Sequence, residues 1–230
     1  MKELLLRKVS SLNEFLFRGT YPRATMLPIS ELESFFLSYI QTYVERDVRL
    51  IENIENLTLF GDFLRLSAVL TAQEINASHL GRELALSSQT ARKWLNLLIY
   101  TYQWIEIPPF HNNATKRLSD RRKGYFKDTG LACHLMRLHS PEAVVTSMKM
   151  GSLFETWVVN YIQQQFAFTS ATNCYHWRSH SGAEVDLILE RDGALFPIEI
   201  KCKSKPNKAD ASSIRKFCQD LSFMQGMKHI

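Results

Sequence analysis

The chain has 230 residues, of which 45% are hydrophobic and 22% are charged, and this composition excludes a disordered chain. Its length exceeds that of one average domain and predicts two compact units. The 28 Lys and Arg residues outnumber the 23 Asp and Glu residues, and the resulting net charge of +5 suits a nucleic-acid partner.

Cysteine usage and hydropathy indicate a cellular compartment. Cys133, Cys174, Cys202 and Cys218 show no CxxC spacing, which is typical of reduced thiols. The apolar run within Met1–Arg7 is too short for a signal peptide or a membrane span. We therefore expect a cytoplasmic protein with no membrane partner.

Residues 1–58 are predicted to form a helical lead-in. Residues 1–27 are expected to be partly irregular, with a turn at Arg18-Gly19-Thr20-Tyr21-Pro22. A helix is predicted to begin near Ser30 as its N-cap, with Glu33 three residues later as in a capping box. The adjacent charges of Glu45–Arg49 are expected to form a solvated or locally paired face.

Residues 59–130 are predicted to form a winged helix-turn-helix domain. The first helix spans Phe60–Ala72, and Asn76 is expected to cap a second helix that ends at Leu84. Ser88 is expected to cap a third helix that runs to about Tyr102. This order of elements is typical of DNA-binding domains in which the third helix enters the major groove.

Two strand-like segments, Trp104–Ile107 and Lys123–Lys127, would flank a basic loop, which is the predicted wing. The start of the third helix would contact bases and the wing would contact phosphates. The predicted DNA contacts are Ser87, Gln89, Thr90, Arg92 and Lys93 on the helix and Lys116, Arg117, Arg121 and Arg122 on the wing. Many winged helices bind only proteins, and a basic loop is often merely solvated, so both alternatives stay open.

The clearest chemical signal lies in residues 131–230. Glu184–Leu189 and Phe196–Lys201 flank the turn Arg191-Asp192-Gly193, and this pattern predicts a β-hairpin. Side chains two apart on a strand share a face. One face is therefore expected to carry Glu184, Asp186 and Ile188 together with Glu199 and Lys201, whereas the intervening apolar residues face a core.

Carboxylates on paired strands with a lysine beside them predict a site for Mg²⁺ or Mn²⁺, because such carboxylates repel one another unless a cation lies between them. Lys201 would hold the attacking water or neutralise charge on a phosphate. The alternative is a solvated strand face with a surface ion pair between Glu199 and Lys201. Lys203 and Lys205 would either follow a phosphate backbone or keep a strand edge soluble.

A pair of histidines is the weaker metal candidate. His176 and His180 have His-x3-His spacing, but they flank a strand end, where residues four apart do not converge. Surface or hydrogen-bonded histidines are therefore expected there.

The order of these acids resembles the PD-(D/E)xK nuclease superfamily. In this resemblance Glu155 is the acid of the first helix, Asp186 is the strand acid, and Glu199-Ile200-Lys201 is the Glu-x-Lys motif. The resemblance implies that Asp186, Glu199 and Glu155 bind the metal ion and act in catalysis with Lys201. A helix over Ala209–Leu221 would follow.

A wider resemblance combines the segments 18–22, 43–48, 125–131, 151–155 and 182–186. Together they are similar to the C-terminal domain-of-unknown-function region of prokaryotic AAA-type ATPases, which is a winged helix followed by a nuclease-like domain. The resemblance implies an α+β fold with an αβββα restriction-endonuclease-like core and an ATPase module in cis or in trans. Because only residues 227–230 remain for the last strand, we expect a truncated core and a fragment or split gene product.

Two functional hypotheses follow from this resemblance. The first is a DNA-binding, metal-dependent nuclease that hydrolyses phosphodiesters. The second is a non-catalytic DNA- or protein-binding module that retains the nuclease fold.

Overall fold

The computed structural model of the chain describes residues 11–51, 54, 56–111, 121–166, 172–179 and 181–226. It is a mixed α+β protein, as predicted, and it divides into two compact units. The first unit comprises residues 1–105 and 124–157, and the second comprises residues 106–123 and 158–230. The finer division at residues 58 and 130 stays a prediction.

The first unit is mainly helical and contains one small sheet. Its helices are α1 (Leu12–Arg18), α2 (Pro22–Met26), α3 (Ile29–Tyr39), α4 (Glu45–Ile51), α5 (Leu57–Val69), α6 (Ala77–Glu83), α7 (Ser88–Tyr100), α8 (Thr129–Leu135), α9 (Pro141–Thr146) and α10 (Met150–Phe166), whose C-terminal part belongs to the second unit. A π-helical turn, Ile40–Val44, joins α3 to α4.

The small sheet has the strand order β1-β3-β2 and is formed by β1 (Gln73–Glu74), β2 (Trp104–Ile107) and β3 (Lys123–Phe126). Both of the predicted strands are therefore confirmed, and β1 is an addition. The predicted helices of this region are also present, although α5 begins and ends about three residues earlier than expected. Trp94 of α7 packs edge-on against Phe60 and Phe63 of α5, with 5.3 Å between ring centroids in each pair.

The observed helix starts agree with the capping prediction for α6 and differ from those for α7 and α3. Asn76 caps α6 as predicted, because its side chain accepts hydrogen bonds from the backbone of the first turn. Ser87 rather than Ser88 caps α7, since its hydroxyl accepts from Thr90 N at 3.0 Å. The predicted N-cap at Ser30 is wrong, because α3 already begins at Ile29 after the extended Pro28 and makes no side-chain cap bond.

A buried carboxylate fastens the lead-in to the rest of the first unit. Asp128 caps α8 by accepting from Leu131 N, and its other oxygen accepts from the backbone and the hydroxyl of Thr20. Burial raises the pKa of Asp128, whereas the donors of Thr20 and Leu131 oppose that rise. A Cβ atom at Gly130 would lie 2.4 Å from the carbonyl oxygen of Arg18, so this approach requires glycine. The sequence predicts a partly irregular start of the chain, but from Leu12 onward this segment is largely helical.

The second unit contains an antiparallel sheet of order β4-β5-β6, formed by β4 (Thr172–Arg178), β5 (Glu184–Arg191) and β6 (Ala194–Ile198). The predicted hairpin is confirmed: Arg191 pairs with Ala194, and both Asp192 and Gly193 adopt positive φ angles, as a tight two-residue hairpin turn requires. A 3₁₀ turn (Lys208–Ala211) then leads into α11 (Ser212–Gly226), close to the helix predicted over 209–221.

The end of β6 differs from the prediction. The strand stops at Ile198, so Glu199 and Lys201 lie just beyond it rather than within it. The reason is visible at Asp186, whose Oδ2 atom accepts a hydrogen bond from Ile200 N at 2.8 Å. The backbone N–H of Ile200, which a continued strand would use for pairing, is thus bonded to a side chain.

An apolar cluster fills the second unit. It consists of Phe110, Tyr175, Trp177, Val185, Ile188 and Phe217. The placement of Ile188 on the acidic face is wrong, since this side chain is fully buried within the cluster. The pairing of β4 with β5 shifts register between Tyr175 and Trp177, which is why alternation alone did not predict the buried set.

Candidate functional site

Three of the predicted site residues meet at the open end of the β5–β6 hairpin. The ammonium group of Lys201 lies 2.6 Å from Oε1 of Glu199 and 4.0 Å from Oδ2 of Asp186. Asp186 is held by the sheet and is only 6% exposed. The hydrogen bond from Ile200 N fixes the Glu-x-Lys segment against this carboxylate. We refer to Asp186, Glu199 and Lys201, together with Glu184 and Lys123, as the carboxylate cluster.

Lys123 is the member of the carboxylate cluster that sequence reasoning missed. Its ammonium group lies 2.6 Å from Oε1 of Glu184 and 3.4 Å from Oδ1 of Asp186. The residue is 2% exposed at the start of β3. It is 61 residues before Glu184 in the chain, so no motif spacing links the two. In the sequence it is the first residue of the strand predicted to follow the basic wing.

The acids of the carboxylate cluster have unequal proton affinities. Burial raises the pKa of Glu199, the charges of Asp186 and Glu184 raise it further, and the hydrogen bond from Lys201 opposes them. Burial also acts to raise the pKa of Glu184, but Lys123 outweighs it and holds this pKa below its usual value. The two ends of the carboxylate cluster therefore differ: the pKa of Glu184, beside Lys123, is lowered, whereas the pKa of Glu199, beside Lys201, is raised.

The donor set fits a divalent cation only partly. Oε2 of Glu199 is buried, and within the described chain it has no hydrogen-bond partner. Asp186 and Glu199 supply oxygen ligands of the kind that Mg²⁺ and Mn²⁺ prefer, and Mg²⁺ commonly keeps several waters. Among the residues that the structure describes, however, no three His, Cys, Asp or Glu side chains are grouped so that they would hold an ion. A cation would therefore rely on two carboxylates and water.

Glu155, the predicted helix acid, lies on α10 within the first unit. Its Oε1 atom accepts a hydrogen bond from the hydroxyl of Tyr125 at 2.8 Å. Its predicted role as a third metal ligand stays a prediction.

The residues predicted to contact DNA fall into different environments. Gln89 and Lys93 are exposed on the first turns of α7, where Thr90 and Arg92 are half-buried. Thr90 also shares a hydrogen bond with the hydroxyl of Ser87, the α7 cap. Gln89 and Lys93 are therefore more accessible to a partner than Thr90 and Arg92.

The basic residues of the second unit are partly paired. Arg122 approaches Glu106 at 3.9 Å, and Lys203 binds Asp210, whereas Arg121 and Lys205 are exposed. Lys116 and Arg117 lie outside the described residues.

His176 is a buried histidine of the second unit. It is 1% exposed, and its Nε2 atom lies 3.1 Å from the carbonyl oxygen of Arg121. His180 lies outside the described residues. The prediction of a hydrogen-bonded histidine fits His176, although its depth of burial was not foreseen.

Comparisons with known proteins identify two family models. Residues 9–164 match Domain of unknown function (DUF8612), and residues 150–229 match Domain of unknown function (DUF4143). The chain is also 31% identical over 170 residues to Uncharacterized protein Mb2031c of Mycobacterium bovis and to Uncharacterized protein Rv2008c of Mycobacterium tuberculosis. Each alignment covers 74% of this chain but only 38% of the relative, so the chain spans well under half the length of these proteins. No solved structure matches the chain.

Separately, no helix in the part of the chain that the structure describes is long and apolar enough to cross a membrane.

Proposed function

We propose that the chain, which belongs to the Domain of unknown function (DUF8612) family, is a DNA-associated region of a AAA-type ATPase with a metal-dependent, nuclease-like site. The ATPase module would lie elsewhere in the same protein or in a partner. The match of residues 150–229 to a second domain of unknown function supports the resemblance to the domain-of-unknown-function region of these ATPases.

One observation carries the proposal: Asp186, Glu199 and Lys201 come together at the end of a hairpin. Surface acids and lysines are common, and a surface ion pair requires only one carboxylate. Here two poorly exposed carboxylates share one lysine, and an oxygen of Glu199 is buried without a partner. Such an arrangement stores unfavourable electrostatic energy, which a bound cation would relieve.

Asp186 and Glu199 would hold Mg²⁺ or Mn²⁺ through their carboxylate oxygens. A bound ion of this kind lowers the pKa of its water and neutralises charge that develops on a phosphate. Lys201 is the most solvent-accessible member of the three, so its ammonium group can reach a phosphate oxygen or orient the attacking water. Ile200 N keeps Asp186 in place through its hydrogen bond and contributes no charge.

The helices α5, α6 and α7 with β1, β2 and β3 support the proposed winged helix-turn-helix. The turn between α6 and α7 is short, and Leu86 N bonds back to the carbonyl of Gly81. A Cβ atom at Gly81 would lie 2.6 Å from the carbonyl oxygen of Leu86, so close packing of this turn depends on glycine. We propose that Gln89 and Lys93 of α7 contact the major groove.

The test of this site is a cleavage assay of single- and double-stranded DNA and of RNA, with Mg²⁺ or Mn²⁺, on the full-length protein. Asp186→Asn and Glu199→Gln should each lower the rate at least about 100-fold, since each removes a metal ligand. Asp192→Asn, at the exposed hairpin turn, is the matched control and should leave the rate unchanged. Lys201→Ala should lose most of the rate but keep cation binding in calorimetry.

A second candidate function is a non-catalytic module that binds DNA or a protein. The observation that favours it is Lys123, whose ammonium group already neutralises part of the carboxylate cluster without any metal. If the wild-type protein cleaves no nucleic acid and binds neither Mg²⁺ nor Mn²⁺, this second function replaces the first.

A further inference from the structure

A lysine that is almost wholly removed from solvent needs an opposite charge close by. Lys123 is 2% exposed, and transfer of an unpaired ammonium group into a protein interior is strongly unfavourable. Its ion pairs with Glu184 and Asp186 supply that charge. Removing one partner of a buried pair leaves the other charge uncompensated, which is why such pairs respond strongly to single substitutions.

The two ends of the carboxylate cluster are built differently. At one end, Lys123 holds Glu184 and the Oδ1 atom of Asp186. At the other end, the more exposed Lys201 contacts Glu199 and faces the Oδ2 atom of Asp186. Three carboxylates thus share two ammonium groups, and Asp186 lies between them. At the Lys201 end, the Oε2 atom of Glu199 is buried, and it has no hydrogen-bond partner among the described residues.

We infer that Lys123 is the resident counter-ion of the carboxylate cluster, and that it restricts a divalent cation to Asp186 and Glu199 by keeping Glu184 and one oxygen of Asp186 engaged. The first part of this inference stands on the ion pairs alone, and the second rests on the proposed metal-dependent function. Lys123 acts here as a positioning residue, because its ammonium group contacts the carboxylates of Glu184 and Asp186.

The first part is tested by thermal unfolding of the metal-free protein. Lys123→Met should lower the midpoint by about 6–15 °C, because it leaves Glu184 and Asp186 without their cation. Lys123→Met combined with Glu184→Gln should recover part of this loss, since one of the two uncompensated charges is then gone. Lys216→Met is the matched control, because Lys216 is a half-buried lysine whose ammonium group donates a hydrogen bond to the neutral hydroxyl of Ser181. The midpoint of this variant should stay within about 1–2 °C of the wild type.

The second part is tested by calorimetric titration with Mn²⁺. Lys123→Met should bind Mn²⁺ at least about tenfold more tightly than the wild type, because a positive charge leaves and Glu184 becomes available as a ligand. Lys123→Arg retains the charge and should bind Mn²⁺ as the wild type does, which a purely structural role for the side chain would not predict.

The results of these two experiments distinguish the counter-ion role of Lys123 from its restriction of the cation. An unchanged midpoint for Lys123→Met, or no recovery on adding Glu184→Gln, overturns the counter-ion role. Equal or weaker Mn²⁺ binding by Lys123→Met overturns the restriction of the cation. If no variant binds Mn²⁺, the metal-dependent function and the restriction both fail, while the unfolding data still decide the counter-ion role.

Discussion

Acidification should destabilise this protein through His176, because the folded chain holds this histidine in its neutral form. Burial lowers the pKa of His176 to about 4, against the effect of its hydrogen bond with the carbonyl of Arg121. The charges of Lys123 and His111 contribute to this lowering of the pKa, whereas the charge of Glu184 opposes it. Nδ1 is also buried, and the described chain offers it no partner for a second proton.

The sign and size of the effect follow from proton linkage. The unfolded chain protonates His176 near pH 6.5, whereas the folded chain does so only near pH 4, so the unfolded state binds the extra proton in between. The stabilisation is fully present above pH 6.5 and is lost as the pH falls towards 4. The difference in pKa corresponds to about 3 kcal/mol, a large share of the roughly 5–15 kcal/mol that stabilises a typical domain.

The assay is urea unfolding followed by circular dichroism at pH 7.5 and pH 4.5, with the wild type compared to His176→Phe. The wild type should lose about 2–3 kcal/mol more than the variant between the two pH values, because phenylalanine cannot take up a proton. His79→Gln is the control, since His79 is exposed and only loosely paired with Glu83 at 3.6 Å, and it should respond like the wild type. Equal losses in the wild type and His176→Phe would refute the argument.

Two other predictions concern the first unit. Asp128→Ala should lower the free energy of unfolding by about 3–5 kcal/mol, because the donors of Thr20 and Leu131 lose their acceptor. Asp62→Ala, which breaks an exposed pair with Arg65, should cost about 0.5 kcal/mol or less, and similar values for both variants in urea titrations would contradict the role of Asp128. Binding to duplex DNA should weaken steeply with salt and show little sequence preference, as measured by fluorescence anisotropy. Lys93→Ala should reduce the salt slope by about one unit, and a flat salt titration of the wild type would exclude phosphate contacts.

The hairpin and its acids could be predicted because their signals are local. A two-residue turn with glycine at its second position determines the pairing of β5 with β6, and this register brings Asp186 of β5 close to Glu199, which directly follows β6. The helices α6 and α7 were predicted within a residue or two for a similar reason, since their caps are encoded next to them.

Features that depend on distant parts of the chain could not be predicted. Ile200 N bonds to the Asp186 side chain rather than to a strand, so the end of β6 is set by a tertiary contact. Ile188 and His176 are buried beside the register shift between β4 and β5, and the alternation of a regular strand does not predict that shift. Ser30 satisfied the capping pattern, but Pro28 started the helix first. In each case a neighbour in space outweighed the local preference.

The ion pairs of Lys123 close a loop of about sixty residues, whereas Asp186 and Glu199 are joined within a short hairpin. Closing the longer loop costs more chain entropy, so the hairpin can form before Lys123 reaches it. The match to residues 150–229 begins well after Lys123. A fragment cut at that family boundary would therefore retain the acids and Lys201 but leave Glu184 and Asp186 without the ammonium group that neutralises them, and its cation affinity and stability would not represent those of the longer chain.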